Sequence, residues 1–359
     1  MPPSRSMHGV SRDNILFPNN STYSPVTLSN EWPKVGRLLL MVTLSTIGTI
    51  LNGYFVASFF VERILRRPGL VFLACIGLTD MIVTGVIMST SAVILLSGEW
   101  ENVQVCNVLQ WIGISAVYCY SLFFMLVALE EYLRFCCSRA VYEIVIASKV
   151  TLLAFMVFGI SFMLGAIGVY LGLDYDYCLR KNSGNTYFRA ASLAFFYILP
   201  CMLTIYCLIS SYVHIDRRAA SQLSYKRSLA YDHDNSIASL NIIAYVIFFF
   251  TWLPYLITSF NVFAASDAKY YNTIWFGLGR TVLTSFLYAL LDRTFRRAFG
   301  RLFNYCFCKR SLSAPLAPRH RRAYCTRVRL LQPNMFIARS SQIGIRGRRV
   351  HITRETREL

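Results

Sequence analysis

Seven apolar stretches, each long enough to cross a lipid bilayer, constrain the fold of this 359-residue chain more than any other feature. A helix rises 1.5 Å per residue, so about 20 apolar residues cross a hydrocarbon core about 30 Å thick. Because lipid offers no hydrogen bonds to an open backbone, each stretch is predicted to be helical. The expected fold is an all-α membrane protein, a seven-transmembrane helix bundle. The stretches lie at residues 37–61, 70–97, 105–130, 147–172, 189–213, 237–264 and 271–291.

The composition excludes a soluble globular domain. Hydrophobic residues make up 55% of the chain, charged residues only 15%, and the mean hydropathy is +0.45. Most of the formal charge of +18 lies beyond residue 292, in a segment that contains sixteen arginines, one lysine and only two glutamates. A polybasic segment beside a membrane is commoner than a nucleic-acid site in such a protein. We therefore expect a lipid membrane as a partner and no nucleic acid.

The charges of the short connecting loops predict the orientation of the chain. Loops after the first, third and fifth stretches are basic, with Arg66, Arg134 and Arg217, whereas loops after the second and fourth carry acids such as Glu101 and Asp176. Since basic loops stay in the cytoplasm, the amino terminus is expected outside. The expected segments are an extracellular segment at 1–36, the bundle at 37–291, an amphipathic interfacial helix at 292–305 and a basic disordered cytoplasmic tail at 306–359.

Both ends of the chain carry features that agree with this orientation. Asn19 and Asn20 begin overlapping N-x-S/T sequons, which are glycosylated on the extracellular side. No apolar signal-peptide core precedes the first stretch, so that stretch is expected to direct membrane insertion. Beyond the seventh stretch, Phe295, Phe299 and Phe303 recur at helical spacing between arginines. This pattern predicts the interfacial eighth helix.

Several motifs resemble those of the rhodopsin-like (class A) G-protein-coupled receptors. The third stretch begins near a cysteine and ends in an acidic triplet, and five other stretches carry a polar, proline or aromatic residue at a family position. The loop that ends at Cys178 adds a fainter resemblance to melatonin receptors and their orphan relatives. The motif residues are Cys106, Glu130-Glu131-Tyr132, Asn52, Leu78-Thr79-Asp80, Pro200, Thr251-Trp252-Leu253-Pro254 and Leu287-Tyr288.

The resemblance implies a set of functional residues. It implies a disulfide between Cys106 and Cys178 and palmitoylation of Cys306 and Cys308, for which two free cytosolic thiols are the alternative. It also implies an activation switch and a ligand pocket, although inward aromatic residues also serve ordinary packing. The switch residues are Phe248, Trp252, Pro254, Tyr288 and the triplet Glu130, Glu131 and Tyr132. The pocket residues are Gln110, Ile114, Val117, Phe196, Trp252, Tyr255, Ser259 and Ile274.

The chain departs from the family in the third and seventh helices. Glu131 replaces the arginine of the triplet, and Thr284 and Ser285 stand where an Asn-Pro pair is expected. In the family this arginine contacts the G protein, so the opposite charge of Glu131 predicts weak or absent coupling. Acidic residues near the sixth helix, Asp232 and Asp234, would then face Glu131, unless Arg134 neutralises the triplet. The alternative is that Glu131 is tolerated and that coupling persists through other contacts.

Two charged residues of opposite sign in the middle of the predicted spans, Asp80 and Arg280, are expected to form an ion pair inside the membrane. Asp80 lies ten residues from the cytoplasmic start of its stretch, and Arg280 lies eleven residues from the cytoplasmic end of the seventh. Both are therefore about 15 Å deep. In the resemblance they occupy the sodium site, so we expect the arginine to replace the sodium ion, with Asn52 at matching depth to bond the pair. The alternative is that Arg280 extends toward water.

These features favour a receptor for a small molecule that is not an amine. Amine receptors carry an aspartate where this chain has Gly113, and opsins carry a retinal lysine where it has Leu278. The alternative is a seven-helix protein that does not couple to G proteins, acting as a scavenger, a chaperone or an arrestin-biased scaffold. No nucleophile–base pair, metal cluster or phosphate loop is present in the sequence, so we expect no enzyme activity and no cofactor. The expected partners are an extracellular ligand and a G protein or arrestin at the plasma membrane.

Overall fold

The computed structural model describes residues 32–62, 65–97, 103–147, 149–174, 185–221, 229–260 and 267–308, and the structural statements below concern these residues. Seven of the described helices are long and apolar enough to cross a membrane, and no strand occurs among them. The predicted all-α seven-helix bundle is confirmed. The spans are α1 Lys34–Val61, α2 Pro68–Ser97, α3 Val103–Cys136, α4 Val150–Tyr170, α5 at 186–221, α6 Leu229–Phe260 and α7 Asp267–Leu291, followed by α8 Arg293–Cys308.

Three spans extend well beyond their predicted limits at the end of the bundle near α8, and one of them is the fifth, which was expected to stop at residue 213 but continues to Ser221. The third was expected to stop at residue 130 but continues to Cys136, so the acidic triplet lies inside the helix. The sixth was expected from residue 237 but begins at Leu229. Apolarity marks only the part of a helix that crosses lipid, whereas helical hydrogen bonds continue into the polar region.

Wider π-helical turns interrupt two of the spans. One lies at Val83–Met88 in α2 and another at Ala194–Ile198 in α5. Within the first turn, the hydroxyl of Thr84 donates a hydrogen bond to the carbonyl oxygen of Asp80 at 2.9 Å. Such turns are frequent at functional sites because they redirect the side chains around them.

The bundle has a buried aromatic interior and an apolar exterior. Trp252, Phe248 and Tyr288 are buried, whereas Phe60 and Phe155 on other faces are 72% and 70% exposed. Apolar side chains this exposed would promote aggregation in water, but they suit contact with lipid acyl chains.

The amphipathic helix predicted at 292–305 lies at Arg293–Cys308. Its first turn is capped by Asp292, whose carboxylate accepts hydrogen bonds from the backbone N–H groups of residues 294 and 295 at 2.7 and 2.9 Å. Phe295 is buried and stacks on Phe55 of α1 at 5.0 Å between ring centroids. Arg301 forms an ion pair with Glu62 at 3.0 Å. Together these contacts fix the start of α8 against the end of α1.

Candidate functional site

A small apolar cavity lies among α2, α3, α6 and α7, at the end of the bundle away from α8. Its volume is about 40 Å³. That space is too small for a drug-sized ligand, since ligand pockets measure about 300–1,000 Å³. Six of the residues placed in the pocket by resemblance line this cavity. They are Gln110, Ile114, Val117, Trp252, Tyr255 and Ile274.

Two other residues assigned to the pocket do not contribute to this lining. Phe196 lies within the π-helical turn of α5 and packs its ring against Tyr118, at 5.6 Å between centroids. The wider turn gives side chains of this segment a direction that simple helical spacing does not predict. The side chain of Ser259 lies outside the described residues. Ile87 and Leu109 also line the cavity but were not predicted to, because no sequence signal separates lining residues from packing residues on an apolar helix.

Trp252 borders the cavity and rests on a glycine of α7. The indole is 1% exposed, and a Cβ atom on Gly277 would lie 2.8 Å from its ring. The close approach of α6 and α7 at this level therefore requires glycine. Two residues further along α6, Pro254 lies inside the helix and has no N–H to donate to the preceding turn.

Asp80 and Arg280 are in direct contact at the centre of the bundle. Arg280 Nη2 donates to Asp80 Oδ1 at 2.7 Å, and neither side chain is exposed. Nη1 of the same guanidinium donates to Thr284 Oγ1 at 3.2 Å. Aromatic rings cover the cation, the nearest being Tyr120 with its centroid 4.0 Å from the guanidinium carbon. The contact places a covalently attached cation against the carboxylate.

Asn52 does not bond this ion pair, contrary to the sequence-based expectation. Its Nδ2 donates to the carbonyl oxygen of Thr281 at 3.2 Å, and its Oδ1 accepts a hydrogen bond from the hydroxyl of Ser285. Residues at one depth can lie on different faces of their helices, and Asn52 faces the backbone of α7. It therefore joins α1 to α7 beside the pair.

At the end of the bundle near α8, three buried side chains form a hydrogen-bonded chain across α3, α6 and α7. The hydroxyl of Tyr288 donates to Asn241 Oδ1, and Asn241 Nδ2 donates to a carboxylate oxygen of Glu131. We call Glu131, Asn241 and Tyr288 the cytoplasmic lock, because the sequence-based orientation places this end of the bundle in the cytoplasm. All three are at most 3% exposed. Glu131 thus lies inside the bundle, and the side chains of the acids expected to oppose it, Asp232 and Asp234, lie outside the described residues.

The neighbouring acid of the triplet has separate partners. Glu130 Oε1 lies 3.6 Å from Arg134 Nε and accepts a hydrogen bond from the hydroxyl of Tyr142 at 3.0 Å. Burial, and next the Glu130 carboxylate, raises the pKa of Tyr142 above its usual value, so the phenol stays protonated as a donor. The third residue, Tyr132, turns toward α5 and packs near the ring of Tyr206 at 5.9 Å.

The amino-acid sequence that forms these helices matches a known protein family. The family model described as 7 transmembrane receptor (rhodopsin family) matches residues 51–288, which is more than half of the chain. The chain belongs to the rhodopsin family. The human histamine H2 receptor is 23% identical to this receptor over 311 residues, which cover 79% of the chain and 84% of that relative. The cat 5-hydroxytryptamine receptor 1B is 29% identical over 140 residues, and that match spans 36% of the chain and 35% of the relative.

Membership makes this protein a class A G-protein-coupled receptor and not an enzyme. Cys106 is disulfide-bonded. Its proposed partner Cys178 and the sequons at Asn19 and Asn20 lie outside the described residues. Cys306 is an exposed free thiol, and the side chain of Cys308 is not described.

One residue of the cytoplasmic lock, Asn241, was not among the functional residues predicted from the sequence. Asn241 is an amide within an apolar stretch, and polar residues at membrane depth usually face the interior of a bundle. That rule, had it been applied, would have marked Asn241 as a candidate. It was not enough to identify Glu131 and Tyr288 as its partners, which depends on the rotation of three helices.

Proposed function

We propose that this receptor resides in the plasma membrane with its amino terminus outside, and that it binds a small molecule without a cationic amine. The named relatives are receptors for histamine and 5-hydroxytryptamine. In this chain Gly113 borders the deep cavity, whose described lining contains no carboxylate. The cation of an amine ligand would lose its hydration there without gaining an anionic partner.

We further propose that conventional G-protein coupling is weak, and the observation that carries this proposal is the cytoplasmic lock. Separation of α6 from α3 would break the hydrogen bond between Asn241 and the Glu131 carboxylate. A hydrogen bond to a charged group contributes about 1.5–3 kcal/mol, which corresponds to roughly a 10- to 150-fold preference for the closed arrangement. Glu131 also presents a negative charge where the family places the arginine that contacts the G protein.

The Asp80–Arg280 pair supports a further part of the proposal, that sodium does not regulate this receptor. Arg280 Nη2 at 2.7 Å from Asp80 occupies the side of the carboxylate that faces α7. A second cation next to the guanidinium would be repelled. We infer that the arginine replaces the sodium ion as the permanent partner of Asp80.

The test is ligand-free G-protein dissociation in cells, measured for wild type and Glu131→Arg with representatives of every G-protein class. Surface amounts are matched through an amino-terminal epitope tag. The proposal predicts a wild-type signal equal to that of cells without receptor and a clear rise in the variant. A strong wild-type signal that falls in Glu131→Arg would contradict it.

The alternative function, a seven-helix scavenger, chaperone or arrestin-biased scaffold, is favoured by the small volume of the deep cavity, about 40 Å³. A scaffold does not need to open this site. The same cells distinguish the two functions when arrestin recruitment is recorded in parallel. Recruitment by wild type without any rise in G-protein dissociation for Glu131→Arg would favour the scaffold.

A further inference from the structure

A second cavity of about 30 Å³ adjoins the first and contains an arginine. The two cavities share Ile114, Val117 and Tyr255 in their linings. Arg189 lines the second cavity from the first turn of α5, where Asn185 caps the helix. The combined site therefore has an apolar, aromatic part between α3, α6 and α7 and a cationic part at α5.

Arg189 is buried without a partner for its charge. Its side chain is 6% exposed, Nε makes no hydrogen bond, and no described residue forms an ion pair or hydrogen bond with the guanidinium. Buried charges are normally paired, so an unpaired one that borders a cavity indicates a missing anion.

The described lining of the second cavity also contains one acid, Asp174, which forms no ion pair with Arg189. It is engaged in contacts of its own. Its negative charge also restricts the kind of anion that fits. A dianion such as a phosphate monoester would be repelled more strongly than a singly charged carboxylate.

We propose that Arg189 binds the carboxylate of a ligand whose aromatic or hydrocarbon body occupies the deep cavity beside Trp252. This inference rests on the proposed function, because it assigns a ligand class to the same site. The planar guanidinium matches a carboxylate with two parallel N–H donors. The rings of Tyr118, Tyr255 and Trp252 around the two cavities suit an aryl body. Both cavities widen when the ligand enters, since neither holds such a molecule as it stands.

The experiment is thermal unfolding of purified receptor in phosphatidylcholine nanodiscs, titrated with 4-phenylbutyrate and with its neutral amide, 4-phenylbutanamide. The variants are Arg189→Gln and Lys269→Gln, the latter removing an exposed cation at the start of α7. The acid should stabilise wild type and Lys269→Gln at concentrations at least about tenfold lower than the amide, because a charge-assisted hydrogen bond is lost with the amide. Arg189→Gln should remove this preference for the acid. The same variant should unfold at a higher temperature than wild type without ligand, because it no longer buries an unpaired charge.

Three results would overturn the inference. The first is an equal effect of acid and amide on wild type, which would leave a neutral-ligand site at Trp252 and exclude only the carboxylate contact. The second is the absence of any acid effect on wild type, and the third is the persistence of the preference for the acid in Arg189→Gln. None of these results bears on G-protein coupling, so the inference about the ligand fails separately from the proposed coupling behaviour.

Discussion

Replacement of Arg280 by asparagine is expected to destabilise the receptor and to make it sensitive to sodium. In wild type, Arg280 and Asp80 are in contact at 2.7 Å with no exposed surface. Removal of one member of a buried pair costs about 3–5 kcal/mol. At about 2–4 °C per kcal/mol for a chain of this size class, the unfolding temperature should fall by about 6–20 °C. The shorter side chain also opens space beside Asp80.

Sodium should fill that space in the variant and restore part of the stability. An ion that binds with a dissociation constant of about 10 mM adds about 1.6 kcal/mol at about 150 mM. Purified receptor is unfolded thermally across a sodium series, with choline holding the ionic strength constant. Arg296→Asn, which changes an exposed arginine of α8, is the matched control and should behave as wild type. Stabilisation of wild type by sodium over choline would refute the reasoning.

Three further substitutions test the packing, the disulfide and the triplet. Gly277→Ala should lower the free energy of unfolding by about 1–3 kcal/mol through contact with the indole ring, whereas Gly279→Ala, with nothing within 4 Å of its Cβ, should not. Unreduced peptide mapping should recover a Cys106–Cys178 peptide, and its loss in Cys106→Ser should cost about 2–5 kcal/mol. Tyr142→Phe should cost about 1.5–3 kcal/mol below about pH 10, the usual pKa of tyrosine, and less as pH rises through the raised pKa. The packing prediction would be wrong if Gly277→Ala and Gly279→Ala were equally stable. The disulfide prediction would be wrong if Cys106 and Cys178 were recovered as free thiols. The prediction for Tyr142 would be wrong if Tyr142→Phe left the stability unchanged.

Sequence reasoning was most effective where lipid restricts what a residue can do. The seven spans follow from apolar length, because an unpaired backbone is excluded from lipid. The depth count placed Asp80 and Arg280 at one level, and in the structure these two side chains are in contact. Charges at membrane depth are rare enough that two of opposite sign have few other possible partners.

The sequence did not predict features that depend on helix rotation. Asn52 shares the depth of the ion pair but faces the backbone of α7. Phe196 lies in a π-helical turn that no periodicity rule detects, and its ring contacts Tyr118 outside the deep cavity. The hydrogen bond from Asn241 to Glu131 was not predicted, and the acids expected to oppose Glu131 have side chains outside the described residues. Each difference arises because depth along a span is readable from sequence and orientation around the helix axis is not.

The most direct test of the central claim is a distance measurement across the cytoplasmic lock without ligand. Spin labels are placed at residues 138 and 236, near the ends of α3 and α6, after the other accessible cysteines have been replaced. Asn241→Leu removes the amide that donates to Glu131, and Tyr245→Phe, about one turn along α6, is the control because its hydroxyl bonds the carbonyl oxygen of Cys201 at 3.3 Å instead. Wild type and Tyr245→Phe should give one short distance distribution, and Asn241→Leu should add a longer one. A long distance in wild type, or no change in Asn241→Leu, would contradict the account.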